Sequence, residues 1–583
     1  MPDDAKRRDP LIAGALGLSL FALFWFGRSR SFGAGDSAQH VLAALTWGVP
    51  HPPGYPLQTA LGWLWSRLWS DPGAAVNGLS GLFAAAAAAV LYFLLRRNGC
   101  RRPAALTAAG FMAFSPLFWY YSLVAEVRAL NDLLALAAAY FALEWSKNGR
   151  ARSLNLFAAV FGLGVSHHPT FVMLVPAFAV WLSARRPAPR AAARAGAIAL
   201  AALVAPYALL RARLAWSAPE YNLFETADWR GVLELFLRTR LGGPLRMAAG
   251  GGSGFSLNEL VFQIVNFASA LWTHAGPVAL ALAVIGAIAA VSSKDRRSLL
   301  AWSLWFLAAA AVPIVLSSAE MSGHDADYVR AVVARFYLLP MLAVFVLSGL
   351  GAEALLARAR PSLGWLLAAA AFVFPLGAHP QWLARENPQL DFARALVRDS
   401  GPGDLIVLGA DDSVFAALDL ELARGEGGGR IFLTPSVFGL ASYARLLARR
   451  YPDLRVPPPG PDGSLTLDWV EWRRLNPGRA VLFEAGLLDA ARSLYPKSVP
   501  QGTLIRVLPP GPRADPAADA RRFLASPEIA EVTRWNVRPW TQEIYLLKTR
   551  QAMAAWLSTR LDPKRDGTLL QEYAVVLSDM RTP

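Results

Sequence analysis

The sequence predicts a polytopic α-helical membrane protein carrying an α/β domain at its C-terminal end. Three observations support this. Of the 583 residues, 55% are hydrophobic and only 17% charged, against about a quarter charged in a soluble domain. Apolar runs approaching the ~20 residues needed to cross the hydrocarbon layer recur through the first two thirds of the chain. After them, short apolar runs alternate with amphipathic stretches, the pattern of strands and helices in an α/β domain.

Charge and cysteine content narrow the function classes. Lys and Arg total 57 and Asp and Glu 42, a formal charge of +15. The basic residues fall in short clusters between apolar runs, whereas nucleic-acid binding needs them on one solvated face, so no nucleic-acid partner is expected. The single cysteine, Cys100, excludes a disulfide framework and any multi-cysteine metal site. With 20 Trp, 30 Phe and 14 Tyr the chain has ample apolar surface to bury and is not disordered.

The first apolar run, 11–27, follows Lys6, Arg7 and Arg8 and lacks a clear small-residue cleavage site, so it reads as an uncleaved first helix with a cytoplasmic N-terminus. Further spans are expected at 74–95, 104–120, 130–146, 153–166, 170–183, 196–210, 276–292, 298–317, 335–353 and 362–378, eleven in all. This alternation puts the clusters at Arg96 to Arg102, Lys147 to Arg152, Arg185 to Arg194, Lys294 to Arg297 and Arg358 to Arg360 on the inner side, with Arg28 and Arg30 the exception. It also puts the chain after His379 outside. Segment 257–273 is read as lying on or partly entering the membrane, because a further span there would invert the later clusters. The alanine run 84–89 suits close helix packing.

Runs 405–408, 430–434 and 480–483 read as strands and 442–450 as a helix, giving an extracytoplasmic α/β domain over 381–510 and a helical tail over 511–583. The membrane domain is then 1–380. All seven histidines fall at outer helix ends or outer loops, together with Asp36, Glu126, Glu320 and Asp325. Any outer loop collects polar residues, yet ionisable groups at helix ends facing a bundle are functional candidates.

The first outer loop, 28–72, concentrates the signals. It holds Gly35-Asp36-Ser37, then His51-Pro52-Pro53-Gly54-Tyr55-Pro56, then Trp63, Trp65 and Trp69, which suit the headgroup layer. Asp36 reads equally as a general base at the mouth of the bundle and as an N-cap. The glycines at 250–254 lack Gly-Lys-[Ser/Thr] and read as a loop rather than a phosphate cradle. Asp411-Asp412 after a strand reads as a turn, or as a site for acceptor or metal.

The string Gly35-Asp36-Ser37, with Gly48-Val49-Pro50-His51-Pro52-Pro53-Gly54-Tyr55-Pro56-Leu57, resembles the signature of a branch of the GT-C superfamily of polyprenyl-phosphate-dependent glycosyltransferases similar to the protein O-mannosyltransferases. Supporting matches are Ala125-Glu126-Val127-Arg128-Ala129-Leu130-Asn131, with Arg128 in place of an aromatic, and Ser166-His167-His168, with Ser166 in place of Asn. Asp228-Trp229 with Phe236-Leu237-Arg238, and Arg335-Phe336-Tyr337-Leu338-Leu339-Pro340, are similar to two further family segments. The resemblance spans about 11–350 and continues weakly through 403–413.

The resemblance implies transfer of a mannose-like sugar from a polyprenyl-phosphate donor to an acceptor hydroxyl, on protein Ser/Thr or on a glycan, at the outer face of the membrane. It places the catalytic carboxylate on Asp36. Substrate-binding roles are expected for His51, Glu126, Asn131, His167, His168, Arg330 and Arg335. The two arginines suit a phosphate or, alternatively, snorkelling, and Glu126 either positions a partner or pairs with Arg128. No tight metal-ligand spacing occurs, so neither metal nor cofactor is expected beyond the lipid-linked donor. Composition suggests a GC-rich bacterial source, hence a multi-pass protein of the cytoplasmic membrane using undecaprenyl phosphate. The competing readings are a transporter or flippase, disfavoured because the polar residues gather at one face, and an envelope scaffold in which Asp36 and Glu126 are dispensable.

Overall fold

The computed structural model describes residues 3–217, 219–222, 226, 228–239, 257–292, 296–316, 326–357, 359–378, 388–409, 411–487, 498–507, 515–525 and 544–579. Glu320, His324, Asp325, His379, Lys294, Arg358, the glycine run 250–254 and the expected boundaries near 381 and 511 lie outside them. The chain divides into two compact units, one of Met1–Arg30, His51–Ala218 and Thr226–Arg385, the other of Ser31–Pro50, Pro219–Glu225 and Glu386–Pro583.

The first unit is helical. Among the described residues, five of its segments are long and apolar enough to cross a membrane: Arg8–Gly27, Pro72–Arg97, Pro189–Trp216, Arg296–Val315 and Arg330–Leu356. Of the other expected spans, 130–146 coincides with the 21-residue helix Arg128–Asn148, and the rest with shorter or interrupted helices. That at 104–120 is divided into Arg102–Ala113 and Pro116–Leu123, since Pro116 lacks the N–H needed to continue the ladder. Helices Leu257–Ala275 and Pro277–Ser292 meet at 103°, around Gly276 at φ 82°. Two helices so close to perpendicular cannot both follow the membrane normal, which accords with reading 257–273 apart from the span after it.

One of the basic clusters expected on the inner side, Arg96 to Arg102, is paired with acidic side chains. Asp9 accepts from Arg96 at 2.9 Å, Arg102 at 2.8 Å and the Tyr92 hydroxyl at 3.1 Å, and Arg101 pairs with Glu353 at 2.9 Å. Helices Pro277–Ser292 and Leu338–Leu356 pack extensively. A Cβ on Gly351 would lie 1.8 Å from the Leu282 carbonyl oxygen, and one on Gly286 would lie 2.0 Å from that of Leu347. Small residues allow such backbone contact between helices.

The second unit contains a five-stranded sheet. Strands β1 (Leu405–Val407), β2 (Ile431–Leu433) and β3 (Val481–Glu484) are parallel, and β4 (Ser498–Gln501) and β5 (Leu504–Val507) form a hairpin, in the order β2-β1-β3-β5-β4. Leu405 registers with both Ile431 and Val481. The three parallel strands match the expected runs, because strands buried on both faces read as continuous apolar stretches. The hairpin goes beyond those runs: Ser498-Val499-Pro500-Gln501 has no apolar run, and its antiparallel pairing with β5 is set by the turn at Gly502, φ 59°. Helix Asp411–Leu422 follows β1, and helix Ser37–Thr46 from the first loop packs against it. The first loop is therefore shared, 31–50 grouping with the C-terminal unit and 51 onwards with the helical one.

Candidate active site

In the C-terminal unit, Asp36 stands at the start of helix Ser37–Thr46, whose first eight residues are all buried. Asp36 is itself buried, at 8% exposure. Its carbonyl accepts the first helical bond from His40 N–H at 2.9 Å. Its carboxylate, however, accepts no capping hydrogen bond, with the backbone at φ −70°, ψ −6° rather than in the extended geometry of a side-chain cap. Asp36 thus occupies the N-cap position without doing N-cap work. The turn before it is fastened by Gly33 N–H to Ser37 Oγ at 2.8 Å and by Gly35 N–H to the Asp412 carboxylate. Gly35 has φ 68°, the left-handed region that a Cβ disfavours. Gln39 donates to the fully buried Tyr221 hydroxyl at 2.5 Å.

In the helical unit, the other predicted residues meet around Tyr55. This non-glycine residue sits at φ 39°, a strained conformation of the kind that persists where its surroundings over-determine it. The His51 ring lies 5.3 Å from the Tyr55 ring, and those of His167 and His168 each lie 6.1 Å from it. His167 Nε2 is 2.9 Å from the Val127 carbonyl, so it carries the proton and donates.

Arg128 Nη1 lies 3.1 Å from His168 Nε2. A guanidinium only donates, so Nε2 accepts, while Nδ1 faces Thr170, 2.7 Å from its hydroxyl oxygen and 3.2 Å from its backbone nitrogen. Arg128 and Arg335 share the Phe336 ring, at 4.3 and 5.5 Å from its centroid. Glu126, 1% exposed, faces Arg335 Nη1 at 3.4 Å and accepts from Val127 N–H at 3.0 Å. Glu126 thus faces Arg335, while Arg128 stacks on Phe336 and reaches His168.

Arg128, Asn131, Asp132, Thr170, Arg335 and Phe336 line a small internal cavity. There Arg128 Nε, Asn131 Oδ1 and Asp132 Oδ2 are buried and make no hydrogen bond among the described residues. Arg330 packs over the Phe262 ring at 4.9 Å. Sequence reasoning does not single out Tyr55, Asp132, Thr170 or Phe336 as site residues. Tyr55 and Phe336 do sit inside matched motifs, and Asp132, one turn from Arg128 on the same helix, is the available signal for the cavity. Among the described residues no group of three or more His, Cys, Asp or Glu side chains is placed to hold a metal ion.

The architecture defines a multi-pass membrane protein of the GT-C-like fold class. The crystal structure of ArnT from Cupriavidus metallidurans bound to undecaprenyl phosphate superposes with a TM-score of 0.53 at 11% identity, over 85% of this chain and 97% of that one. Residues 36–190 match the family model of the protein O-mannosyl-transferase TMEM260 N-terminal domain. The mouse protein O-mannosyl-transferase TMEM260 is 29% identical over 412 residues, 67% of this chain and 57% of that protein. Its namesake in Dictyostelium discoideum is 24% identical over 362 residues, 56% of this chain and 42% of that protein. The chain thus spans about half the length of the curated relatives it matches, and the region similar to the TMEM260 N-terminal domain contains Asp36, His51, Glu126, Asn131, His167 and His168.

Proposed function

We propose that this chain is a membrane glycosyltransferase that moves a mannose-like sugar from a polyprenyl-phosphate donor to an acceptor hydroxyl, on protein Ser/Thr, at the outer face of the cytoplasmic membrane, with the C-terminal domain on that side. The observation that carries this reading is the Asp36 carboxylate, buried yet not spent on capping the helix it begins, inside a segment that matches the TMEM260 family model.

Asp36 takes the acceptor's hydroxyl proton as that oxygen bonds to the sugar's anomeric carbon. The bond from that carbon to the phosphate oxygen breaks through an oxocarbenium-like state, and its electron pair leaves on the phosphate. Arg335, held by Glu126, supplies a guanidinium suited to that phosphate. Arg128 raises the positive charge beside it, and Tyr55, His51, His167 and His168 form the aromatic wall of the sugar site. The lipid-linked sugar is the co-substrate and no metal takes part.

The test is transfer of labelled mannose from polyprenyl phosphate in membranes containing wild-type protein or Asp36→Asn. Asn keeps the shape but accepts no proton, so transfer should fall by about 100-fold or more at equal protein level. Undiminished transfer would reject Asp36 as the base and make Glu126 the next candidate.

A further inference from the structure

The Asp36 carboxylate is aimed by a turn that is not self-supporting. Residues 33–37 are closed on one side by Gly33 N–H to Ser37 Oγ at 2.8 Å. On the other, the Gly35 N–H is taken by the Asp412 carboxylate, 377 positions later in the chain. Gly35 holds φ 68°, and because glycine has the widest backbone freedom of any residue, it settles in one conformation only when its neighbours anchor it.

Asp412 is in turn built in. It is 3% exposed and sits in the first turn of helix Asp411–Leu422, against which helix Ser37–Thr46 packs. Its neighbour Ser413, and Gly409 after β1, are held by Glu484, fully buried at the end of β3. One Glu484 oxygen accepts from Gly409 N–H at 3.0 Å and from the Ser413 hydroxyl at 2.8 Å. A series of hydrogen bonds thus links the sheet, through Glu484 and the first turn of helix Asp411–Leu422, to the amide of the residue immediately before Asp36.

We propose that Asp412 is a positioning residue for Asp36, so that the C-terminal α/β domain, through its bond to Gly35 N–H, sets the aim of the catalytic carboxylate. The proposal rests on the reading of Asp36 as general base. Misplacing a reacting group by 1 Å can cost about 100-fold in rate, so the contribution belongs in turnover rather than in donor binding.

The experiment uses the full-length protein in membranes, with labelled mannosyl polyprenyl phosphate as donor. Asp412→Ala should lower kcat by about 10- to 100-fold and leave donor KM within about twofold. It should also leave the midpoint of the acid limb of the kcat–pH profile in place, since Asp36 remains the base. Asp412→Asn keeps an oxygen that accepts the Gly35 N–H and should recover most of the loss. Wild-type turnover in Asp412→Ala, or equal loss in both variants, overturns the proposal. Hydrogen exchange is read in parallel. The Gly35 amide should exchange at least about tenfold faster in Asp412→Ala but not in Asp412→Asn, with β1 and β3 unchanged; unchanged exchange at Gly35 overturns the link whatever the activity. If the wild-type chain transfers no sugar, the general-base reading of Asp36 fails, and with it the catalytic half of the proposal. The exchange result then still decides whether Asp412 holds the turn.

Discussion

Replacing Glu126 by Gln leaves the Arg335 guanidinium facing an amide in a site where the two side chains are 2% and 13% exposed. Breaking a buried ion pair from one side costs about 3 to 5 kcal/mol, because the remaining charge stays desolvated. Glu126→Gln should therefore lower the unfolding midpoint strongly, whereas Glu126→Gln with Arg335→Met should recover much of the stability and none of the transfer. Thermal unfolding in detergent, read beside the transfer assay, separates holding the fold from holding a phosphate. A single sequence cannot resolve this pairing. It shows Arg128 two residues from Glu126, whereas the partner that faces Glu126 is 209 positions away. The same holds for Tyr55: the His-Pro-Pro-Gly-Tyr-Pro string is legible and includes His51, but the contacts of Tyr55 with the His167 and His168 rings join residues more than 100 positions apart.

Helices Pro277–Ser292 and Leu338–Leu356 approach closely enough that neither Gly286 nor Gly351 has room for a methyl group. Gly351→Ala forces the two backbones apart and should cost about 2 kcal/mol or more. Gly14→Ala, whose added methyl would meet nothing within 4 Å, should be neutral or slightly stabilising. Unfolding of both variants in the same detergent checks the contrast. In the C-terminal domain, Asp468 accepts from Val470 and Glu471 N–H groups and caps helix Trp469–Leu475. Asp468→Ala should cost about 1 kcal/mol. Asp468 and Asp36 precede helices in similar sequence settings, and only geometry separates them: one carboxylate is folded back on its helix and the other is not. Elements with long apolar periodicity are legible because burial and length both leave a mark on composition. The β4–β5 hairpin is not, because its pairing with β3 and not its own residues makes it a sheet.

At the scale of the molecule, the C-terminal unit carries its own pH dependence. Asp419 is fully buried, and burial pushes its carboxyl up to about 6 against the pull of Arg424 at 2.6 Å. A carboxyl with its pKa raised in the folded state binds a proton more readily there than in the unfolded chain. Its contribution to stability is thus full below about 4, falls as pH rises through 6, and is a penalty of at most about 3 kcal/mol above that. The gain in unfolding midpoint between pH 7.5 and pH 5 should be larger in the wild type than in Asp419→Asn. A pH-independent difference between the two would refute the assignment. Transfer activity, on the proposed chemistry, should survive EDTA. By itself the sequence determined the class of this protein: a multi-pass helical unit, an α/β domain after it, and the motifs through which it resembles the protein O-mannosyltransferases. These follow from hydrophobic length, period and local motif, all of which are properties of neighbouring residues. Only the tertiary structure decided that residues 31–50 belong with the C-terminal domain, that Asp36 leaves its helix uncapped, and that Arg128 turns to His168 while Glu126 faces Arg335. Those outcomes depend on which distant surfaces bury one another, and neither spacing nor composition encodes a contact between residues hundreds of positions apart.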